Sequence, residues 1–110
     1  MELRILRYFL AVAEEQSFSR AAERLHISQP ALSQQLAAYE AEIGSKLFIR
    51  SPRRIDLTDK GRILLRHARD IVELASRTEE SLKAEDGQEL SGTIVIGAGE
   101  VTAFGRAAPS

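Results

Sequence analysis

Apolar residues recur three and four positions apart in four successive stretches of the chain, and this helical spacing limits the possible folds more than any other feature. The first stretch predicts a helix over Leu3–Glu15. Ser17 and Ser19 are candidate N-caps of a short second helix through about Leu25, because a serine hydroxyl can accept from the free N–H groups of a first turn. The pattern therefore predicts a mainly helical domain.

The third stretch predicts a helix that begins after Ser28 and ends at about Ile43, before Gly44. Its apolar stripe, which we expect to face the core, comprises Leu32, Leu36, Tyr39 and Ile43. The opposite face carries small or amide side chains, namely Gln29, Ser33, Gln34 and Ala37. Such a face can enter a DNA groove and hydrogen-bond base edges, although taken alone it is more typical of an ordinary solvent-exposed surface.

Two short extended stretches, at 47–50 and 54–57, predict a β-hairpin with Pro52 in its turn. Three arginines lie at or beside the tip: Arg50, Arg53 and Arg54. A basic finger of this kind is narrow enough to enter a minor groove. We favour that interpretation over a loop whose charges serve solubility, because Asp56 is the only acid between Lys46 and Leu57 and cannot neutralise the cluster.

Charge is unevenly distributed along the 110 residues, although 15 basic residues nearly balance 16 acidic ones overall. Residues 1–70 hold 12 Lys or Arg and 9 Asp or Glu, whereas residues 71–110 hold 3 and 7. Between Lys46 and Arg69, eight bases stand against two acids. A charge run is usually a solvated face, but a local basic stretch also fits a surface that meets a polyanion such as nucleic acid.

Thr58 can cap a fourth, longer helix, with Asp59 favourably placed at the positive end of the helix dipole. Six of its residues alternate four and three positions apart as a heptad seam: Leu64, Ala68, Ile71, Ala75, Thr78 and Leu82. The seam could pack on the chain's own three-helix core or on a helix of a second subunit. Because a helix advances roughly 1.5 Å per residue, the distal half extends beyond that core and predicts a dimer.

Composition excludes several other classes of protein. The chain is 44% hydrophobic and 28% charged, as is usual for globular domains, and it has no cysteine for a disulfide or thiolate metal site. Its longest apolar run has six residues, whereas a membrane span needs about 20, and its start lacks the features of a secretory signal. We therefore expect no membrane partner, and the missing cysteines fit a reducing cytosol.

An enzyme is the less favoured hypothesis for this chain. His26 and His67 are its only histidines, and neither belongs to a nucleophile motif or a metal-binding motif. Gly97-Ala-Gly99 suggests a phosphate loop only weakly, since Thr102 stands where a third glycine would be needed. We predict no catalytic residues, no metal and no cofactor.

The order of elements, helix, short helix, tight turn, helix and basic hairpin, is that of a winged helix-turn-helix. We predict a three-helix core with a two-stranded wing over residues 1–58 and a linker and dimerisation helix over 59–89. Residues 90–110 would then hold a hinge and the start of a second domain, because the β-branched run Thr93–Ile96 reads as a strand.

Four runs of the chain are informative when they are taken together: Phe9-Leu-Ala-Val-Ala-Glu-Glu, Ser17-Phe-Ser-Arg-Ala-Ala-Glu-Arg-Leu, Ser28-Gln-Pro-Ala-Leu-Ser-Gln-Gln-Leu and Leu47-Phe-Ile-Arg. With Glu40, Gly44 and Gly61, they closely resemble the N-terminal domain of LysR-type transcriptional regulators. The resemblance covers about residues 1–90. It implies a cytoplasmic bacterial regulator that pairs through the long helix. It also implies that residues 90–110 begin an α/β effector-binding domain, so a small-molecule effector would bind only in the missing C-terminal domain.

Carried over position by position, the resemblance implies base-reading roles for Gln29, Pro30 and Ser33, and wing roles for Arg50, Arg53 and Arg54. Ala31 could touch a thymine methyl, and Gln34 stands where many family members have arginine. Ser19 and Arg20 could meet phosphate from the opposite edge of the groove, although capping and solvation explain them about as well.

These residues predict how the chain would bind double-stranded DNA. A symmetric dimer would place two third helices in successive major grooves, about 34 Å or a multiple of it apart, on an operator with dyad symmetry. Arginine from each wing would enter the adjacent minor groove. The alternative is a winged-helix module that docks on protein partners without binding specific DNA.

Overall fold

The structure is a computed structural model that describes residues 1–87, with side chains described through residue 84. Four helices and two strands follow one another as α1 (Leu3–Glu15), α2 (Phe18–Leu25), α3 (Gln29–Ile43), β1 (Phe48–Arg50), β2 (Ile55–Leu57) and α4 (Asp59–Gly87). The chain divides into two compact units, one from Met1 to Glu73 and one from Leu74 onward. The hinge and strand predicted after residue 90 lie outside the described residues.

Side-chain caps begin three of the helices where the sequence predicts them. The Ser17 hydroxyl accepts from the backbone N–H of Arg20, and the Ser28 hydroxyl from that of Ala31, each at 3.1 Å. Thr58 Oγ1 accepts from the Gly61 N–H at 3.0 Å. Each bond satisfies a donor that no intrahelical carbonyl can reach, so the predicted starts of α2, α3 and α4 are confirmed.

The turn between α2 and α3 is built on a histidine. His26 adopts a left-handed conformation, with φ +60°, and its N–H donates to the Glu23 carbonyl. The N–H of Ile27 donates to the Ala22 carbonyl at 3.1 Å, which completes a Schellman motif. His26 therefore takes the place in which such motifs most often have glycine, and it directs the chain from α2 into α3.

The hydrophobic core lies between α1, α2 and α3, with contributions from the wing and from the first half of α4. Its largest fully buried side chains are Phe9, Leu6, Leu32, Leu36, Leu47 and Val12. Three phenylalanine rings run through it: Phe9 lies 5.3 Å from Phe48, and Phe48 lies 5.4 Å from Phe18, centroid to centroid. We call these three residues the aromatic stack. Such tilted and edge-to-face pairs add to the stabilisation from burial alone.

The wing is an antiparallel pair in which Phe48 lies opposite Leu57 and Arg50 opposite Ile55. The N–H of Ser51 donates to the Arg54 carbonyl at 3.1 Å and closes the turn. The hairpin predicted from the sequence is therefore confirmed. The Ile55 N–H also donates to the carbonyl of Gln16, so the wing is tied to the end of α1.

A partly buried carboxylate joins α3 to the start of β1. Glu40 Oε2 accepts from the Leu47 N–H at 2.7 Å, and the Glu40 side chain is 13% exposed. The Leu47 carbonyl in turn accepts from the Thr58 N–H at 3.0 Å. Glu40 thus satisfies a donor that the short strand cannot pair.

We expect Glu40→Ala to lower the free energy of unfolding by about 1–3 kcal/mol, because it leaves the Leu47 N–H without an acceptor. Urea denaturation measures this change. Glu42→Ala, at an exposed position of the same helix, serves as the control and should stay within about 0.5 kcal/mol of the wild type. Equal stability of the two variants would contradict the role given to Glu40.

One predicted core position is wrong. Ile43 continues the stripe of α3, yet its side chain is 43% exposed, because the helix ends there and Gly44 turns the chain away. Within the first unit, Ile43 instead lines an open, mostly apolar groove of about 430 Å3 together with Ile63 and Ile71. The stripe therefore covers the core only as far as Tyr39.

Candidate nucleic-acid interface

The outer face of α3 presents the residues predicted to read bases. Gln29, Pro30 and Gln34 are exposed, and Ala31 and Ser33 are half-buried. Gln29 Nε2 donates to Ser33 Oγ at 3.0 Å, one helical turn away. This bond holds two neutral polar side chains together on one face, where both retain unused donors or acceptors.

A groove of about 320 Å3 separates this face of α3 from the wing, and we call it the α3–wing groove. From α3 it is lined by Ser33, Leu36, Ala37 and Glu40, from the wing side by Lys46, Phe48 and Arg50, and from α2 by Phe18. The fold therefore brings one predicted base-reading residue, Ser33, and one predicted wing residue, Arg50, to the same cleft.

The three wing arginines are not equivalent. Arg53 lies in the turn, is exposed and has no ion pair among the described residues. Arg54 is paired with Asp56, at 3.0 Å between Nε and Oδ1. The pair forms because Arg54 and Asp56 lie two residues apart on the same side of the strand. Asp56 thus partly offsets the charge of the three wing arginines, which the sequence argument did not anticipate. The Arg50 guanidinium lies over the Phe18 ring instead, with its central carbon 4.2 Å from the ring centroid.

The start of α2 places Ser19 and Arg20 at the surface. Arg20 Nη2 donates to the Glu15 carbonyl at 3.0 Å, so part of its hydrogen-bonding capacity is used within the chain. Its neighbour Arg24 is more fully engaged, with Glu14 at 2.8 Å and Glu15 at 3.3 Å. The hydrogen bond to Glu14 is the main cause of a raised pKa for Arg24, and Glu15 adds to it. Arg20 makes only a looser ion pair with Glu15, at 3.8 Å between Nε and Oε1, and so keeps the more available charge of the two.

The predicted seam of α4 divides in two. Leu64 packs against the core and Ala68 is completely buried in it, joined by Leu65 and Val72. Ile71 is 38% exposed, and in the second unit Leu82 is 64% exposed. Ala75 is half-buried and Thr78 is exposed, with its hydroxyl bonded back to the Leu74 carbonyl at 2.8 Å. The first two residues of the seam, Leu64 and Ala68, therefore pack in the chain's own core.

The described residues contain neither a metal-binding cluster nor a membrane-spanning helix. No group of three or more histidine, cysteine or acidic side chains in that part of the chain could hold a metal ion. Among the helices it contains, none is both long and apolar enough to cross a bilayer.

Sequence reasoning did not single out two residues of the α3–wing groove. Phe18 looks like an ordinary core residue, and Lys46 like one more charge of the basic stretch. The spacing of Phe48 and Arg50 on one strand does predict that their side chains point to the same side, because residues two apart on a strand do so. The spacing does not predict which helix these side chains contact.

A small helical core, a tight turn into an exposed polar helix and a basic hairpin define a winged helix-turn-helix domain. The family model described as bacterial regulatory helix-turn-helix protein, lysR family, matches residues 3–62. The chain belongs to this family. Both the resemblance and the fold class predicted from the sequence are thereby confirmed.

Curated relatives and solved structures agree with this assignment. The chain is 46% identical over 84 residues to the HTH-type transcriptional regulator TfdT of Cupriavidus pinatubonensis, covering 76% of this chain and 37% of that protein. It is 43% identical over 97 residues to the nitrogen assimilation regulatory protein nac of Escherichia coli, covering 88% of this chain and 32% of that one. The chain thus spans about a third of the length of these relatives.

Two of the similar structures are DNA-binding domains. The CbnR domain, in its crystal structure as a complex with DNA, superposes with a TM-score of 0.72 at 46% identity, covering 78% of this chain and 99% of that one. The BenM domain, in its crystal structure as a complex with catB site 1 DNA, superposes with a TM-score of 0.77 at 38% identity, covering 82% of this chain and 100% of that one. The curated relatives are transcriptional regulators.

Proposed function

We propose that this chain is the DNA-reading part of a bacterial transcription regulator that acts in the cytoplasm and binds a specific double-stranded operator. The observation that carries the proposal is the α3–wing groove, where an exposed polar helix and basic wing residues line one cleft. The DNA complexes of related domains support it. No observation favours a protein-docking module over DNA.

In the proposed complex, α3 lies in the major groove, where each base pair presents a distinct pattern of donors and acceptors. Five residues of α3 would meet base edges: Gln29, Pro30, Ala31, Ser33 and Gln34. Arg53 and Arg54 at the wing tip would enter the minor groove. Ser19 and Arg20 would meet backbone phosphate, which positions the domain without reading sequence.

We further propose that the chain binds as a homodimer through α4. Its exposed apolar residues support this, because isolated apolar side chains are common on surfaces but a contiguous run marks an interface. In the first unit, Ile71 shares an open apolar groove with Ile43 and Ile63, and in the second unit Leu74 and Leu82 are exposed apolar residues of α4. A dimer would place two half-sites on an operator with dyad symmetry.

The proposed organisation has three parts: a DNA-binding domain over residues 1–58, the linker and dimerisation helix over 59–89, and a hinge with the start of an effector-binding domain over 90–110. The matched segments make up only 37% and 32% of the two relatives, whose remaining length can hold such a domain. The small-molecule effector would bind there. The proposal includes no cofactor and no catalytic step for the described residues.

Selection from a random duplex library at about 150 mM salt tests this function, since specific binding must survive salt that weakens phosphate contacts. We expect an enriched inverted repeat, which would also define the half-site. Retention of DNA without enrichment would contradict sequence-specific dimeric binding, and no retention would favour a protein partner.

Replacing Arg53 and Arg54 by alanine tests the wing. We expect affinity for the enriched duplex to fall about tenfold or more and the salt dependence to weaken by about one or two phosphate contacts. Electrophoretic or fluorescence titrations at several salt concentrations measure both. The control variant, Arg77→Ala with Lys83→Ala, also removes two positive charges, but from α4. We expect it to change the affinity and the salt dependence much less than the wing variant does. Unchanged binding by the wing variant would remove the wing from the interface.

A further inference from the structure

We propose that Phe18 is a positioning residue for DNA binding, which holds the Arg50 guanidinium in the α3–wing groove so that Arg50 binds a backbone phosphate. The proposal rests on the DNA-binding function proposed above. It gives Arg50 a different task from Arg53 and Arg54 at the wing tip.

Strand geometry separates Arg50 from the tip. Side chains alternate along a strand, so Arg50 points to the same side of β1 as Phe48, whereas Ile49 points away and is 51% exposed. Because Phe48 is buried against the Phe18 ring, Arg50 is directed over the same ring. Arg53 lies beyond the strand in the turn. The wing therefore presents arginine in two places.

The ring beneath Arg50 is held firmly by the core. Phe18 is 5% exposed and meets Phe48 edge-on at 68°, and Phe48 packs in turn on the fully buried Phe9. The 4.2 Å separation between the guanidinium carbon and the ring centroid lies well inside the range of a cation–π contact, which extends to about 6 Å. A long side chain held in this way loses less conformational freedom when it binds.

The charge of Arg50 is available to a ligand. No carboxylate lies within ion-pairing distance of it in the described part of the chain, unlike Arg24 and Arg54. Stacking covers one face of the guanidinium, while its N–H donors lie in the plane and stay free. Their fork geometry matches two oxygens of one phosphate.

The surroundings of Arg50 favour a phosphate over a base edge. Lys46 lines the same groove, but its ammonium lies 4.0 Å from the Glu40 carboxylate, whereas no carboxylate of the described residues pairs with Arg50. A guanidinium fork left unpaired in this way suits an anion with several oxygens. From Ser33, which would meet a base, the groove extends along α3 to Ala37 and Glu40, beyond the other proposed base contacts. Arg50 therefore lies where the edge of a major groove, and hence the backbone, would pass.

The test compares four variants of the 110-residue chain on two duplexes, one enriched from the random library and one of unrelated sequence. Phe18→Leu removes the ring and keeps an apolar side chain. Phe9→Leu is the matched control, because it removes a ring of the same aromatic stack that does not touch Arg50. Arg50→Ala and the double variant Phe18→Leu/Arg50→Ala complete a double-mutant cycle.

We expect Phe18→Leu to weaken binding to both duplexes by about three- to tenfold, since an immobilised side chain must now be ordered by the DNA. Phe9→Leu should stay within about twofold at temperatures where each variant is folded. Arg50→Ala should lower the salt dependence by about one contact, and adding Phe18→Leu to it should change affinity by less than about twofold, because the ring acts through Arg50.

Wild-type affinity in Phe18→Leu, or effects that multiply in the double variant, would overturn the positioning role while leaving the proposed function intact. A loss confined to the enriched duplex would overturn the phosphate assignment. Failure of the wild type to bind either duplex would instead overturn the proposed function, and this inference with it. If Phe18→Leu does not fold, a fluorinated phenylalanine at position 18 keeps the ring shape and weakens its attraction for a cation, and it should weaken binding in the same direction.

Discussion

Replacing both Ile71 and Leu82 by glutamine is expected to convert the proposed dimer into a monomer and to weaken binding to an inverted-repeat duplex by about a hundredfold or more. Both side chains are exposed apolar groups on α4, and glutamine keeps the helix while removing the gain from burial. Without pairing, the second half-site is no longer bound within the same complex, so its contribution to affinity is lost.

Sedimentation measures the oligomeric state, and titration with a full repeat and a single half-site separates pairing from recognition. Affinity for the single half-site should be unchanged. Glu73→Gln with Arg77→Gln is the control, because it preserves net charge and, at about 100° per residue, lies on the opposite side of the helix from Ile71. A variant that remains dimeric would show that these residues do not form the interface.

Gly61→Ala is expected to cause the largest loss of stability among single substitutions in the first turn of α4, about 3 kcal/mol. A Cβ at this position would lie 2.2 Å from the Leu47 carbonyl oxygen and 3.2 Å from Leu57 Cβ. The first obstacle is backbone and cannot move aside as a side chain could. Accommodating the methyl group would require α4 to shift away from the wing.

Gly44→Ala provides the contrast for a urea-denaturation measurement. Nothing lies within 4 Å of a Cβ there, but φ is +75°, so the cost is conformational and about 1 kcal/mol. The two glycines are thus required for different reasons, one for space and one for backbone geometry. A smaller loss for Gly61→Ala than for Gly44→Ala would contradict the close approach of α4 to Leu47.

The helices could be predicted from the sequence because their limits depend on neighbouring residues. Ser17, Ser28 and Thr58 each cap a helix within three residues, and Gly44 ends α3 with a local change of backbone conformation. The hairpin follows from similarly local turn chemistry. His26 shows the limit of this reasoning, since only the structure establishes that it adopts the left-handed conformation usual for glycine.

The candidate site was less predictable because it depends on contacts between distant segments. Arg50 meets Phe18 only because β1 packs on α2 with Phe48 inward, a register that no local pattern specifies. Ile43 continues a perfect stripe but lies past the point where another element covers it. Contacts between distant residues could therefore be established only from the structure, although the residue types had already indicated nucleic-acid binding.

Thr58, which caps α4, is joined at two points to the residues just before β1: its N–H donates to the Leu47 carbonyl, and its hydroxyl donates to the Lys46 carbonyl at 2.7 Å. Gly61 packs against the same backbone. The direction of the start of α4 is therefore set by the segment that leads into β1, the strand that carries Arg50. In a paired molecule, the crossing angle of the two helices would determine how far apart the two wings stand, and so which half-site spacings the dimer accepts.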